Sequence, residues 1–213
     1  MAITMMQVRH PKGGSLPLRY AKGHFATNHS HINYYIDLTM TKHRLSEARK
    51  AADVLTSRFK TSTIVDTILC LDGTEVVGAC MASRLTASGF TNLNAHQTIY
   101  VVTPEHTVGS QLLFRDNTAP MIRGKHILIL AASITTGYTV QSALEALMYY
   151  GGIPEGVCAL FSCVPELLGY PVVSIFNTEQ LVDYQSTTAV ECPMCKAGIP
   201  VDAMVNTYGI SSF

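Results

Sequence analysis

Residues 126–152 constrain the fold more than any other stretch of the chain. His126 to Ala132 (HILILAA) is an unbroken apolar run, as expected of a strand buried on both faces of a parallel sheet. Ser133, Ile134, Thr135, Thr136, Gly137, Tyr138 and Thr139 follow. Val140, Ala143, Leu144, Leu147 and Met148 then recur at helical spacing, and Gly151-Gly152 supplies a stop. The reading is strand, hydroxyl-rich glycine turn, helix. A helix amino end presents unpaired N–H groups and partial positive charge. Small residues let a phosphate approach, and the hydroxyls of Ser133, Thr135, Thr136 and Thr139 add donors. The same residue types also cap ordinary strand-to-helix turns, so the turn alone admits both a phosphate cradle and a plain cap.

The rest of the chain repeats the alternation. Leu45, Ala48, Ala52, Leu55 and Phe59 predict an amphipathic helix over 45–60, and the β-branched run at 63–71 predicts a strand. Asp72-Gly73 signals a turn. A helix is predicted from about Thr74-Glu75 to Leu85, with Val77, Cys80, Met81 and Leu85 inward. Residues 98–102, 157–162 and 172–176 predict further strands. Residues 103–125 show no clean period and are punctuated by Pro104, Gly109, Pro120 and Gly124, as in a long loop or short flap. This pattern is α/β: one domain over 1–213, with a parallel sheet flanked by helices. A small N-terminal hood of about residues 1–44 is expected to sit over the carboxyl ends of the strands, where ligands bind in open α/β sheets.

Composition narrows the function classes. Fifteen Lys and Arg balance fifteen Asp and Glu, which excludes the broad basic field of non-specific nucleic-acid binding. Hydrophobic residues at 47% and charged residues at 14% supply a core and suit a buried subunit contact. No apolar run reaches membrane-spanning length. Arg9, His10 and Lys12 precede no apolar h-region, so a cytoplasmic chain is expected. The six cysteines are expected as reduced thiols.

The segment Ile127 to Thr139 resembles the signature of type I phosphoribosyltransferases, enzymes that use phosphoribosyl pyrophosphate (PRPP). There a buried strand ends in two acidic residues, followed by a turn x-x-T-T-G-x-T that holds the ribose 5-phosphate. Ile134-Thr135-Thr136-Gly137-Tyr138-Thr139 matches that turn. Asn28-His29-Ser30-His31-Ile32-Asn33-Tyr34-Tyr35-Ile36-Asp37 resembles the N-terminal segment of the orotate branch, in which an aromatic pair lies near the base. The resemblance thus makes Asn28, Tyr34 and Tyr35 base-binding candidates. It places the pyrophosphate loop at Asp72, Gly73, Thr74 and Glu75, and it matches Cys192-Pro193-Met194-Cys195-Lys196-Ala197-Gly198-Ile199-Pro200 to a C-terminal C-P-x-C-x-x-G-x-P of some members.

The resemblance implies transfer of 5-phosphoribosyl from PRPP to a pyrimidine-type base, by a homodimer, with Mg²⁺ accompanying PRPP. The departures are equally specific. Ala131-Ala132 stand in place of the acidic pair that serves the ribose and the Mg²⁺-PRPP complex. Val77 stands before Gly78, where a basic residue is usual, and Glu75 would repel pyrophosphate. The stretch 101–117 carries His106 and Arg115 and no Lys, where the orotate branch has a cation-rich mobile loop. Transfer by the usual route is therefore expected to be badly impaired. Lys42, Arg44, His106 and Arg115 are the candidate replacements, although Lys42, His43 and Arg44 also read as a solvated basic cluster. The alternative function is a non-catalytic nucleotide or 5-phosphate sensor on the same fold.

Tyr34 and Tyr35 in an extended segment point to opposite faces, so at most one stacks on a base. Cys192-x-x-Cys195 has zinc-knuckle spacing, but a structural site needs four ligands and there is no second C-x-x-C. His29 and His31, or Cys158 and Cys163, could complete it only by proximity. A packed turn with reduced thiols is the expectation there.

Overall fold

The computed structural model describes residues 3–9, 16–89, 92–107 and 111–213; His10, Lys12 and Gly109 lie outside the described residues. Three strands come first: β1 (Met6–Arg9), β2 (Pro17–Ala26) and β3 (His31–Asp37). Helices α1 (Thr39–His43) and α2 (Leu45–Thr56) follow. Next come β4 (Thr67–Cys70), α3 (Glu75–Leu85) and β5 (Tyr100–Val102). A small antiparallel pair, β6 (Glu105–His106) and β7 (Leu112–Leu113), precedes β8 (His126–Ile134) and α4 (Tyr138–Tyr149). Then come β9 (Ile153–Ser162), β10 (Glu166–Leu167) and β11 (Tyr170–Asn177). The last elements are β12 (Ser186–Thr187), α5 (Pro193–Lys196), β13 (Ala203–Asn206) and β14 (Gly209–Ser212).

The main sheet has the order β10-β11-β9-β8-β4-β5. All its pairings are parallel except the β10 edge. Strand β8 lies at its centre and is buried on both faces, so its alternation feeds two cores. Leu128, Leu130 and Ala132 pack with Leu55, Val77, Met81 and Leu85 of α2 and α3. Ile127, Ile129 and Ala131 pack with Val140, Ala143, Leu144 and Leu147 of α4. The chain moves outward from β4 to β5, then returns to lay β8 on the other side of β4. The β4/β8 junction is therefore the switch point of a doubly wound sheet, the place where such folds leave a crevice.

The second sheet roofs this crevice and differs from the expected hood. Strands β2 and β3 pair antiparallel, with β1 beside β2. The tail then joins them: β13 runs parallel to β2, β14 pairs with β13, and β12 pairs with β3. The hood is thus built from both ends of the sequence. The tail strands are too short to display a period, which is why the sequence alone places the hood in residues 1–44.

Other differences are local. The predicted strand over 63–71 contracts to β4 because the Asn94 side chain takes up the Val65 amide and the Thr63 carbonyl. The helix predicted to residue 60 ends at Thr56, although Phe59 stays buried. Within 103–125, read from the sequence as a long loop or short flap, the described residues form β6, β7 and a short 3₁₀ turn at Ala119–Met121. No helix among the described residues is long and apolar enough to cross a membrane.

An ion pair ties the hood to the helical layer. Arg19 of β2 donates two hydrogen bonds to Glu47 of α2, each 2.8 Å, and the Thr41 hydroxyl donates a third at 3.3 Å. The Arg19 hydrogen bonds hold the Glu47 carboxyl below its ordinary value of 4.5, against a smaller opposing effect of burial. A depressed carboxyl pKa stabilises the fold above the ordinary value, and that contribution is lost as pH falls through the depressed one. Glu47→Gln is accordingly expected to cost about 2–3 kcal/mol at neutral pH, and to flatten the stability loss of the wild type on acidification below 4.5. Urea unfolding at neutral pH and in mild acid reads both effects.

Candidate phosphate-binding site

A cavity of ≈ 320 Å³ lies at the switch point, between the main sheet and the hood. Its floor is the turn from Ser133 to Thr139, every residue of which lines it, together with Val140. Gly137 stands at the amino end of α4 with φ +83° and ψ 0°, and no side chain caps the helix. This left-handed conformation suits glycine, and a Cβ there would lie 2.5 Å from Leu167 Cδ1. The consequence is a row of free donors. The Gln141 amide donates to Gly137 O, but none of the amides of Thr135, Thr136, Gly137, Tyr138 and Thr139 donates to another described residue. These undonated N–H groups belong to residues that line a cavity at a helix amino terminus, where unpaired amides and the helix dipole favour an anion. The cap-only alternative has no support here, since no hydroxyl of the turn closes on the helix.

One wall comes from the loop after β4. Asp72 and Gly73 both take left-handed conformations, φ +59° and +74°, and Asp72 lines the cavity. A non-glycine residue in this region is strained, though Asp tolerates it better than most. Burial pushes the Asp72 carboxyl up from its ordinary value, opposed by a hydrogen bond from the Ala132 amide and by Lys42 and His106. Gly73, Thr74 and Glu75 do not line the cavity. The Thr74 hydroxyl donates to Leu71 O and Leu130 O, and Glu75 accepts from the Thr103 hydroxyl. Gly78, expected beside the pyrophosphate loop, instead lies inside α3, where the absent Cβ makes room for Cys70 Sγ; Val77 is core. The turn ahead of the helix is one step earlier, at Asp72-Gly73.

The roof comes from the hood. The Thr27 hydroxyl oxygen accepts from the amides of His29 and Ser30 at 3.1 and 2.8 Å. The resulting turn presents Asn28 and His29 to the cavity. The His29 ring lies over Tyr138, centroids 5.4 Å apart, so the hood and the turn at 133–139 meet directly. Tyr35 lines the cavity and packs on Phe25. Tyr34 points to the opposite side, as strand alternation demands. It lies against Tyr20 and Tyr184 and its hydroxyl donates to Val182 O at 2.6 Å. Of the three base-binding candidates, the structure brings Asn28 and Tyr35 to the cavity and sends Tyr34 to the core.

Two parts of the wall have no counterpart in the sequence reading. Tyr184 lies between Phe161 and Tyr34 and lines the cavity; burial, then Cys163, raises its hydroxyl pKa. It sits in a stretch with no period, next to Asp183 at φ +59°, and carries no sequence signal. Asn206, Thr207 and Tyr208 also line the cavity. A signal for these was available: Asn206 Oδ1 accepts the Tyr208 amide at 2.9 Å, an Asx turn before Gly209 that marks a hairpin.

The cation candidates lie elsewhere. Lys42 is only 6% exposed, not part of a solvated cluster. Its ammonium donates to Asp72 O at 3.0 Å and to Thr207 O at 2.6 Å, which fastens the β4 loop to the tail turn. Burial lowers its pKa, opposed by Asp72, Glu75 and Asp37. His43 and Arg44 are exposed. Arg115 is engaged in a two-point pair with Glu105 across the β6–β7 hairpin, both contacts 2.7 Å, and His106 is exposed in the same hairpin. Among the described residues no Lys or Arg lines the cavity. Nor do Ala131 and Ala132, whose methyl groups pack in the two cores.

No protein-family model matches this sequence, and no curated protein matches it. Solved structures do. The structure is similar to a phosphoribosyltransferase from Corynebacterium diphtheriae, at 20% identity and TM-score 0.52, over 74% of this chain and 89% of that one. It is similar to the Mycobacterium tuberculosis H37Rv orotate phosphoribosyltransferase solved with PRPP, at 15% identity and TM-score 0.52, over 69% and 82%. It is also similar to Leishmania donovani UMP synthase, at 14% identity and TM-score 0.55, over 84% of this chain and 36% of that longer one. The fold is that of the type I phosphoribosyltransferases. On that fold the turn at 133–139, Asp72 and residues of the hood line one cavity.

Proposed function

We propose that this chain is a phosphoribosyltransferase-like protein of the orotate type, which holds a ribose 5-phosphate on the turn at 133–139 and transfers the phosphoribosyl group to a pyrimidine-type base. The observation that carries this reading is the row of undonated amides from Thr135 to Thr139, in residues that line the cavity. The similarity to an orotate phosphoribosyltransferase solved with PRPP supports it. A phosphate monoester on the turn directs its sugar along the cavity toward Asp72, the one carboxylate among the described lining residues. The base then lies under the hood, against Tyr35, Asn28 and His29.

Phosphoribosyl transfer develops positive charge on the ribose and negative charge on the departing pyrophosphate. Transition-state stabilisation is therefore chiefly electrostatic. The described cavity residues do not build a resident magnesium site, because Asp72 is the single carboxylate among them. No step is assigned to a metal. With no Lys or Arg among the described residues of the cavity wall, turnover is expected to be slow, since each missing donor costs roughly 10²- to 10³-fold.

A pyrophosphate-release assay with PRPP and a panel of bases, run beside Thr136→Ala, tests the proposal. Slow release with a pyrimidine-type base, lost in the variant, is the expected result. Loss of one hydroxyl bonded to an anion corresponds to about 1.5–3 kcal/mol, or roughly 10- to 100-fold in affinity. Release with no base at all would overturn the transfer reading, whatever the nucleotide affinity of the turn.

A further inference from the structure

Four metal-ligating side chains meet in the hood, outside the cavity. They are His24 of β2, His31 at the start of β3, Cys192 and Cys195. One donor atom from each lies within 4.8 Å of all the others. His24 Nε2 is 3.0 Å from His31 Nδ1, 3.5 Å from Cys192 Sγ and 3.6 Å from Cys195 Sγ; His31 Nδ1 is 3.3 Å from Cys195 Sγ. We propose that these four residues bind a structural zinc ion that clamps the tail to the hood.

Geometry and ligand chemistry both favour zinc. Metal–sulfur bonds of about 2.3 Å and metal–nitrogen bonds of about 2.0–2.1 Å on a tetrahedron place nitrogen and sulfur about 3.6 Å apart, and two nitrogens about 3.4 Å apart. The three nitrogen–sulfur distances fall within a few tenths of an ångström of the first value, and the two nitrogens need only a small separation to reach the second. Two thiolates and two neutral imidazoles are a closed set for a divalent ion of intermediate softness. The set is oriented from behind: His24 Nδ1 lies 2.9 Å from Ile199 O and 3.2 Å from Pro200 O. A ring nitrogen facing carbonyls carries the proton, so the Nε2 lone pair is aimed at the cluster. His24 and Cys192 are 1% and 0% exposed, and Asp202 accepts the His24 amide at 2.8 Å.

This assignment replaces the packed turn with reduced thiols expected for Cys192 and Cys195. Of the completing ligands the sequence suggests, His31 belongs to the cluster and the others do not. His29 is carried by the Thr27–Ser30 turn to the cavity, away from His31. Cys158 is buried in β9 and Cys163 lies by Tyr184. The missing ligand is His24 of β2, brought beside His31 by the antiparallel pairing of β2 with β3. It stands too far along the chain from the C-x-x-C for spacing to reveal it.

The clamp has a structural consequence. The two histidines flank the turn that presents Asn28 and His29, and the cysteines precede the β13–β14 turn that presents Asn206 to Tyr208. Loading the ion fixes both halves of the cavity roof without touching the ligand. The proposal does not depend on the phosphate reading.

The full-length chain, purified without chelator, is expected to contain about one zinc per chain by elemental mass spectrometry, as a closed four-ligand site requires. Cys195, the exposed ligand, gives the least disruptive variant. Cys195→Ser is expected to lower the zinc content at least about tenfold while the circular dichroism stays native-like. Cobalt(II) added to the zinc-free wild type is expected to give the intense visible bands of a tetrahedral site with a sulfur-to-metal charge-transfer band, absent in the variant. Substoichiometric zinc with no such spectrum, or a Cys192–Cys195 disulfide in the freshly purified protein, would overturn the proposal. The four residues would then be a metal-free His24–His31 hydrogen bond beside two thiols or their disulfide.

Discussion

Replacing Gly137 with valine is expected to abolish nucleoside-monophosphate binding, with an affinity loss above roughly 100-fold, or about 2.7 kcal/mol. Two physical causes add at this position. The backbone at φ +83° excludes a β-branched residue, and the left-handed conformation alone costs an L-residue about 1–2 kcal/mol. The new Cβ also runs into Leu167 Cδ1. Relief of either conflict rotates the peptide units that carry the undonated amides, and all the anion donors are lost together. Thr136→Ala, which deletes one hydroxyl, is milder. Gly137→Ala combined with Leu167→Ala removes the crowding and leaves only the backbone strain, so it is expected to fold and to recover part of the binding. Calorimetric titration with orotidylate and with AMP reads the series. Wild-type affinity in Gly137→Val would contradict the assignment of the site.

Placing an acidic residue near the end of β8 is expected to destabilise the protein, not to activate it. Ala131 is 1% exposed and packs against α4. Ala131→Asp places a carboxyl in the apolar cluster of Ile127, Ile129 and Leu144. An uncompensated buried charge costs about 3–5 kcal/mol, which for a chain of this size lowers the melting temperature by roughly 10 °C. Thermal unfolding followed by circular dichroism measures the loss. A variant that melts with the wild type and gains PRPP-dependent pyrophosphate release would show that position 131 faces the ligand, and would contradict the burial of alternate β8 side chains in two cores.

The legible parts of this chain are those in which one local signal decides the structure. The unbroken run at 126–132 announces a doubly buried strand, and the glycine among hydroxyls announces its turn. The pair Asp72-Gly73 is legible as a turn, and both residues take left-handed conformations there. The match of Gly78 to the loop fails, because a glycine inside a helix can serve close packing, here against Cys70, as well as a turn. Lys42 reads as a surface charge because sequence shows a cation but not the two carbonyls that draw it inward. The hood and the cysteine–histidine cluster are largely hidden for the same reason: both depend on the tail, at 186–213, returning to β2 and β3. A contact across 168 positions, such as that between His24 and Cys192, leaves no periodicity in either partner.

A crystal structure of the wild-type protein with orotidylate tests most directly whether the amides from Thr135 to Thr139 hold a phosphoryl group. The phosphorus is expected within hydrogen-bond reach of those amides, with the pyrimidine beneath Tyr35 and His29. A nucleotide bound elsewhere, with the same amides turned to protein acceptors, would contradict it.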